Sequence, residues 1–451
     1  MNCFLRLRQK ITEGNARSVA VKKNIVGSIV IKGVSIIVSF LLVPATIGYV
    51  NAELYGVWLT LASIMSWVHF ADVGFTQGLK NRLAEAIAVE DWEKGRCLVS
   101  TTYFMMVLIF LPLCLILEVI IPHVDWVNLL NVNSQYTKDI ILTMQVIIAF
   151  ACIQMFVNTI VSVVAAFQEV ALSSLFSVVG NFLSLIAIYI LRAFCPASLP
   201  LLGFVFALLP IVVTVIASIF LYLGKYKKVA PSLNHVKFNH IKDLFGLGYK
   251  FFIINIQVLI IYQSTNFIIS YVSSPVEVAN YNIAYRLFNS AMMFFTIVAA
   301  PLWPAYTDAY TRGDYNWMKA VLAKMRKVLL WSILIIFIVL FLSPYIYKIW
   351  VGCTVTIPFL MSSLVSLYVI MFCWQSLNGT LIAGMGKITL SMYLEIVGMV
   401  SHIPLSLFLG RYMGGYGVIV SMIIITSVYA VYFHIQVKKL LDQTAEGIWN
   451  K

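Results

Sequence analysis

Long apolar runs alternate with short polar interruptions along the whole chain, and the runs share one length. Twelve segments are predicted to be helices of membrane-spanning length: 24–46, 54–74, 98–121, 139–163, 171–191, 199–223, 249–271, 280–304, 328–349, 357–381, 388–410 and 415–437. Each supplies about the 20 apolar residues that a helix needs to cross a hydrocarbon core. A helix also satisfies its own backbone, which lipid cannot do for it. The pattern predicts an all-α polytopic membrane protein. Its parts are a cytoplasmic segment 1–23, a six-helix lobe 24–223, an inter-lobe loop 224–248, a second six-helix lobe 249–437 and a cytoplasmic tail 438–451. Within the first long interruption, Leu83, Ala86 and Ile87 alternate with Arg82, Glu85 and Asp91, which suits a helix lying along an interface.

Composition excludes a water-soluble protein. Charged residues make up 11% of the chain and hydrophobic ones 61%, whereas soluble domains carry about 25% charge. The net charge of +13 could suggest nucleic acid, but the positions of the cations argue otherwise. With the N-terminus inside, about 25 of the 31 Lys and Arg residues fall on inside segments and about four on outside loops. That asymmetry predicts that both termini lie in the cytoplasm, and it argues against a nucleic-acid partner. Seven scattered cysteines without a CxxC argue against a disulfide framework or a structural zinc.

The two lobes carry an internal repeat. "AEAIAVEDWEKGR" after the second span resembles "TDAYTRGDYNWMK" after the eighth, pairing Ala86 with Ala309 and Asp91 with Asp314. Two halves that both start inside make a parallel repeat, a plan used by transporters with midplane sites.

Polar residues inside spans narrow the function further. Asn24, Ser28, Lys32, Ser35 and Ser39 share one face of the first helix. Asn255, Tyr262, Asn266 and Ser270 line the seventh, and Asn282, Arg286 and Asn289 the eighth. Ser173, Ser177, Asn181 and Ser184 line the fifth, where ordinary helix packing suffices. Ser391, Glu395, Gly398 and His402 line the eleventh. A cation at a span centre costs about 2.5–3.5 kcal/mol on insertion scales, so Lys32 and Arg286 need an ion pair, a wet cavity or a ligand. In a purely structural reading the two cations pair with Glu395, Asp72 or Glu118, or snorkel to the interface; the functional reading is a cationic cavity for phosphate, with Asn255, Asn289 and Ser35 beside the two cations. Glu395 and His402 are the candidate ion-coupling pair, since a buried carboxyl can load and release a proton. Asp72, with His69 near the inner end of the second span, reads as structural. No GxxxxGK[ST], HExxH, GxSxG or DxD motif is present, which predicts a transporter without its own ATPase, and no cofactor or metal site.

The stretch "PATIGYVNAELYGVWLTLASIMSWVHFADVGFTQGLKNRLAEAIAVEDWEKGR" (44–96) resembles bacterial O-antigen and polysaccharide flippases of the multidrug/oligosaccharidyl-lipid/polysaccharide exporter superfamily. "PLWPAYTDAYTRGDYNW" (301–317) and "NGTLIAGMGK" (378–387) look like later landmarks of the same family. The resemblance implies a MATE-like fold of two pseudo-twofold-related lobes with a central cationic cavity and ion-coupled alternating access. It implies an undecaprenyl-pyrophosphate-linked oligosaccharide as substrate, moved from the inner to the outer leaflet of the inner membrane. Membrane lipid, a polysaccharide polymerase and chain-length machinery are the implied partners. Basic residues on the first and eighth helices of such proteins face the lumen; Lys32 and Arg286 occupy those helices, although a lysine on the first is a departure. Three rival readings stay open: a multidrug exporter of the same superfamily, a polysaccharide polymerase, and a peptidoglycan-precursor flippase. A cavity for cationic drugs calls for carboxylates and aromatics, a polymerase for a large outer loop, and the third for more than twelve spans.

Overall fold

The computed structural model describes residues 16–72, 74–167, 169–239, 241, 260, 263–299, 302–352 and 355–451, and these form helices joined by short connections. In chain order the helices are α1 (Ala16–Val50), α2 (Ala52–Val68), α3 (Phe75–Ala88), α4 (Trp92–Ile120) and α5 (Trp126–Leu130). Then come α6 (Thr137–Val157), α7 (Thr159–Ala166), α8 (Val170–Phe194), α9 (Leu199–Leu223) and α10 (263–272). The rest are α11 (Pro275–Ala299), α12 (Leu302–Thr311), α13 (Tyr315–Trp350), α14 (Phe359–Gly384), α15 (Thr389–Met413) and α16 (Gly415–Leu441). Among the described residues nine helical stretches are long and apolar enough to span a membrane; α2 is shorter, and α2 and α11 occupy the second and eighth expected spans.

Two helices begin well before their apolar runs. The first starts at Ala16 rather than 24, and α13 at Tyr315 rather than 328. Hydropathy marks what lipid accepts, not where backbone hydrogen bonding starts. For α13 the start is set by a cap: the Asp314 carboxylate accepts from Trp317 N at 2.9 Å.

Contacts divide the chain into two units. The first comprises residues up to Val50, Ile64–Trp126 and Ser134–Ile256; the second comprises Asn51–Ser63, Val127–Asn133 and Gln257–Lys451. In the first, α1 packs on α8, and α9 packs on α6 and α8. A Cβ on Gly180 of α8 would lie 2.9 Å from Pro210 Cα of α9, so those two backbones meet where no side chain intervenes. The amphipathic α3 buries Phe75, Leu79, Leu83 and Ala86 against α4 and α7. In the second unit, α14 is the central helix, in contact with α11, α12, α13 and α16; Val365, Val369, Cys373 and Leu381 are its buried stripe.

The sequence repeat reappears as one turn built twice. Asp91 N donates to Ala86 O at 2.9 Å, and Asp314 N to Ala309 O at 2.9 Å. Each aspartate then caps the next helix, Asp91 by accepting from Lys94 N at 3.0 Å and Asp314 from Trp317 N. The residue before each aspartate is left-handed: Glu90 at φ 55° and Gly313 at φ 72°.

Candidate functional site

Among the described residues, a hydrogen-bonded polar cluster inside the spans lies in the second unit, on α2, α10 and α11. Its foundation is a close backbone approach. A Cβ on Gly56 of α2 would sit 1.7 Å from the carbonyl oxygen of Pro275, the first residue of α11. Only a glycine allows the two backbones to meet there. Two turns further along each helix stand Ser63 and Asn282, and Asn266 of α10 joins them. Asn282 Nδ2 donates to Asn266 Oδ1 at 2.7 Å, Asn266 Nδ2 donates to Ser63 Oγ at 2.7 Å, and Ser63 Oγ donates to Leu59 O at 2.8 Å. Asn282 Nδ2 also donates to Val278 O at 2.8 Å. The relay is therefore built from two amides and one hydroxyl, with both Nδ2 donors of Asn282, one of Asn266 and the Ser63 hydroxyl engaged.

Arg286 lies one turn beyond Asn282 on α11, half-buried, with Asn289 on the next turn. The Arg286 charge reaches the buried phenol of Tyr55 on α2. The eighth-span stripe of Asn282, Arg286 and Asn289 thus runs from the amide relay along one helix, and α10 contributes Asn266. Ser270, further along α10, donates instead to Leu130 O at 2.8 Å. Asn255 and Tyr262 lie outside the described residues.

On α1, Lys32 is exposed and Ser35 half-exposed nearly one turn later. Among the described residues no carboxylate pairs with Lys32. One of its candidate partners is engaged locally: Asp72 accepts from Thr76 N at 3.1 Å and from the Thr76 hydroxyl. Asp72 thereby holds the turn into α3, a local structural role.

Glu395 and His402 sit two turns apart on α15, with different surroundings. His402 is fully buried; its Nδ1 lies 3.3 Å from Ser406 Oγ, which lies 2.5 Å from Ser421 Oγ of α16. Nε2 of His402 is buried and has no partner among the described residues. Between Glu395 and His402, Gly398 receives the ring of Tyr429: a Cβ there would fall 1.6 Å from the phenol oxygen, which donates to Glu395 O at 3.4 Å. The pair is therefore not a contact pair, and the histidine belongs to a serine network that spacing alone does not reveal. Ser63, Tyr55, Ser406 and Ser421 escape sequence reasoning. Ser406 alone left a trace, one turn from His402.

No protein-family model and no curated protein matches the chain. Solved structures do. The chain is similar to an inward-facing multidrug resistance MATE family transporter of the MOP superfamily, at 15% identity and TM-score 0.74, over 93% of this chain and 100% of that one. It is similar to an outward-facing structure of such a transporter at 15% identity and TM-score 0.64, over 96% and 98%. A MOP superfamily transporter from Pyrococcus furiosus, described as having a binding pocket of reverse polarity that suggests a different function, aligns at 14% identity and TM-score 0.61, over 94% and 97%. At these identities the likeness speaks to the fold: this chain has the all-α, multi-pass membrane fold of MATE transporters of the MOP superfamily.

Proposed function

We propose that the chain is a flippase that moves an anionic lipid-linked oligosaccharide, carried on a polyprenyl pyrophosphate, across the bacterial inner membrane. The observation that carries this reading is Arg286: a cation within a span, one turn from a hydrogen-bonded amide relay. Insertion scales charge such a residue about 2.5–3.5 kcal/mol. A guanidinium offers a planar fork that matches phosphate oxygens bidentately, and amides and hydroxyls can replace the hydration of sugars. We also assign Lys32, on the first helix and without a carboxylate partner among the described residues, to the substrate. Asn289, Ser35 and Asn255 are assigned to the same substrate. Pyrophosphate and sugars cannot cross hydrocarbon unaided, because their charges and hydrogen bonds would go unmet.

Direction requires an energy source, and the sequence has no P-loop. We assign ion coupling to Glu395 and to His402, whose buried Nε2 has no partner among the described residues. We further assign the Lys- and Arg-rich loops and both termini to the cytoplasm.

A second reading is export of cationic drugs, favoured by the likeness to transporters described as multidrug resistance proteins. A deletion strain separates the two. The first reading expects a lipid-linked oligosaccharide to accumulate on the inner leaflet, with drug sensitivity unchanged. The second expects sensitivity to cationic drugs and normal surface polysaccharide.

A further inference from the structure

The segment after α9 carries more surface chemistry than a connection requires. Residues 224–239 contain Lys225, Lys227, Lys228 and Lys237 and neither Asp nor Glu. They form an ordered strap over the start of α4. Ser232 N donates to Ser100 Oγ at 3.0 Å, and Arg96 Nε donates to Ala230 O at 3.1 Å. Thr101 Oγ1 accepts from Lys237 N at 3.1 Å and donates to Lys237 O at 3.3 Å. Ser100, Thr101, Tyr226 and Val229 are buried beneath it, and the Tyr226 hydroxyl donates to Glu169 at 3.1 Å. Every one of these groups belongs to the first unit.

The outer side of the strap mixes cations with large apolar side chains. Leu233 is 85% exposed and Phe238 62%, and Phe220 (74%) and Leu223 (73%) at the end of α9 are exposed as well. Lys225 pairs with Glu169, and Lys237 lies 3.6 Å from Glu93. Lys227 and Lys228 are exposed, and among the described residues neither meets a carboxylate; Lys228 Nζ rests 4.5 Å above the Trp92 ring. Cations beside exposed apolar side chains, placed where two membrane-length helices end, fit an interface in which acyl chains and phosphates lie a few ångströms apart. An acidic protein surface would complement the lysines but leave Leu233 and Phe238 unexplained.

We propose that the 224–239 strap is a binding site for the headgroup of an anionic phospholipid in the adjoining leaflet. Lys227 and Lys228 meet the phosphate, and Leu233 and Phe238 enter the acyl region. Each lysine at an anionic surface is worth about a fivefold gain in binding, and the two together about 25-fold. The test uses the full chain in detergent, with retention of phosphatidylglycerol and of phosphatidylcholine of matched chains read by native mass spectrometry. The parent is expected to retain phosphatidylglycerol in preference, less so as salt rises. Lys227→Gln with Lys228→Gln, which leaves both ion pairs intact, should cut phosphatidylglycerol binding about 25-fold and leave phosphatidylcholine unchanged. Leu233→Ser with Phe238→Ser should weaken both lipids. A parent without preference, or a lysine variant that keeps it, overturns the proposal. Displacement of phosphatidylglycerol by an equal concentration of inorganic pyrophosphate also overturns it, in favour of a lipid-independent phosphate site.

Discussion

Gly56→Ala should loosen the second unit at the point where its polar relay is anchored. The added methyl would lie 1.7 Å from Pro275 O and 2.4 Å from Pro275 C, both backbone atoms that no rotamer change can remove. Restoring ordinary contact requires the two backbones to part by about 1.7 Å. Overpacking of this kind costs about 1–3 kcal/mol. Two turns along, the same separation stretches the Asn282–Asn266–Ser63 bonds, worth about 0.6 kcal/mol each by the average for membrane helices. The expected total is about 2–4 kcal/mol. Gly379 of α14 is the internal control, because a Cβ there meets nothing nearer than Phe433 Cε2 at 3.6 Å. Gly379→Ala should be neutral, or stabilising by up to about 1 kcal/mol through helix propensity. Unfolding of purified protein in mixed micelles, titrated with denaturing detergent, measures both. If Gly56→Ala unfolds at the same midpoint as Gly379→Ala, the reasoning from backbone contact is wrong.

Asn266→Leu removes two relay bonds while Asn282 keeps its bond to Val278 O, so the expected loss is about 1.2 kcal/mol in the same titration; no loss would mean that the relay does not bear on stability. Gly398→Ala drives a methyl into Tyr429, and the added change Tyr429→Leu should recover more than about 1 kcal/mol of the damage in a double-mutant cycle; additive effects would refute the contact. Outside the spans, the ammonium of Lys319, 2.9 Å away, holds the Asp442 carboxyl below its usual range, by hydrogen bond first and charge second. A lowered folded-state value stabilises above the ordinary carboxylate range and ceases to do so as pH falls through it. The difference in melting temperature between parent and Asp442→Asn should therefore shrink from about pH 5 to pH 3 and at high salt; a pH-independent difference would contradict the pairing.

The fold was legible because lipid leaves few options. Apolar runs of about 20 residues must be helices, and α4, α8, α9, α14, α15 and α16 follow their predicted segments within a few residues at most ends. The repeat was legible through Asp91 and Asp314, since a capping aspartate is fixed by local backbone geometry. Its left-handed predecessor was half-visible: Gly313 declares that conformation, whereas Glu90 adopts it against its own preference. The site was legible only along single helices. Spacing put Asn282, Arg286 and Asn289 on one face. Periodicity within one helix holds no information about which helix lies opposite, so it could not show that Ser63 completes the relay. The same gap hid Ser421, which meets Ser406 from another helix, and Tyr429, which fills the notch at Gly398. Asn255 falls outside the described residues, so its place in the stripe rests on spacing.

The cargo is tested most directly in reconstituted vesicles. A fluorescent polyprenyl-pyrophosphate oligosaccharide is loaded in one leaflet, and its arrival in the other is read by an impermeant quencher under an imposed ion gradient, beside a cationic dye in parallel vesicles. The account predicts that the parent moves the lipid-linked sugar and not the dye. It predicts that Arg286→Ala slows the movement about 10- to 100-fold, the worth of one charge-assisted hydrogen bond, and that Arg286→Lys restores part of it. Movement of the dye alone, or sugar transport indifferent to Arg286, would contradict it.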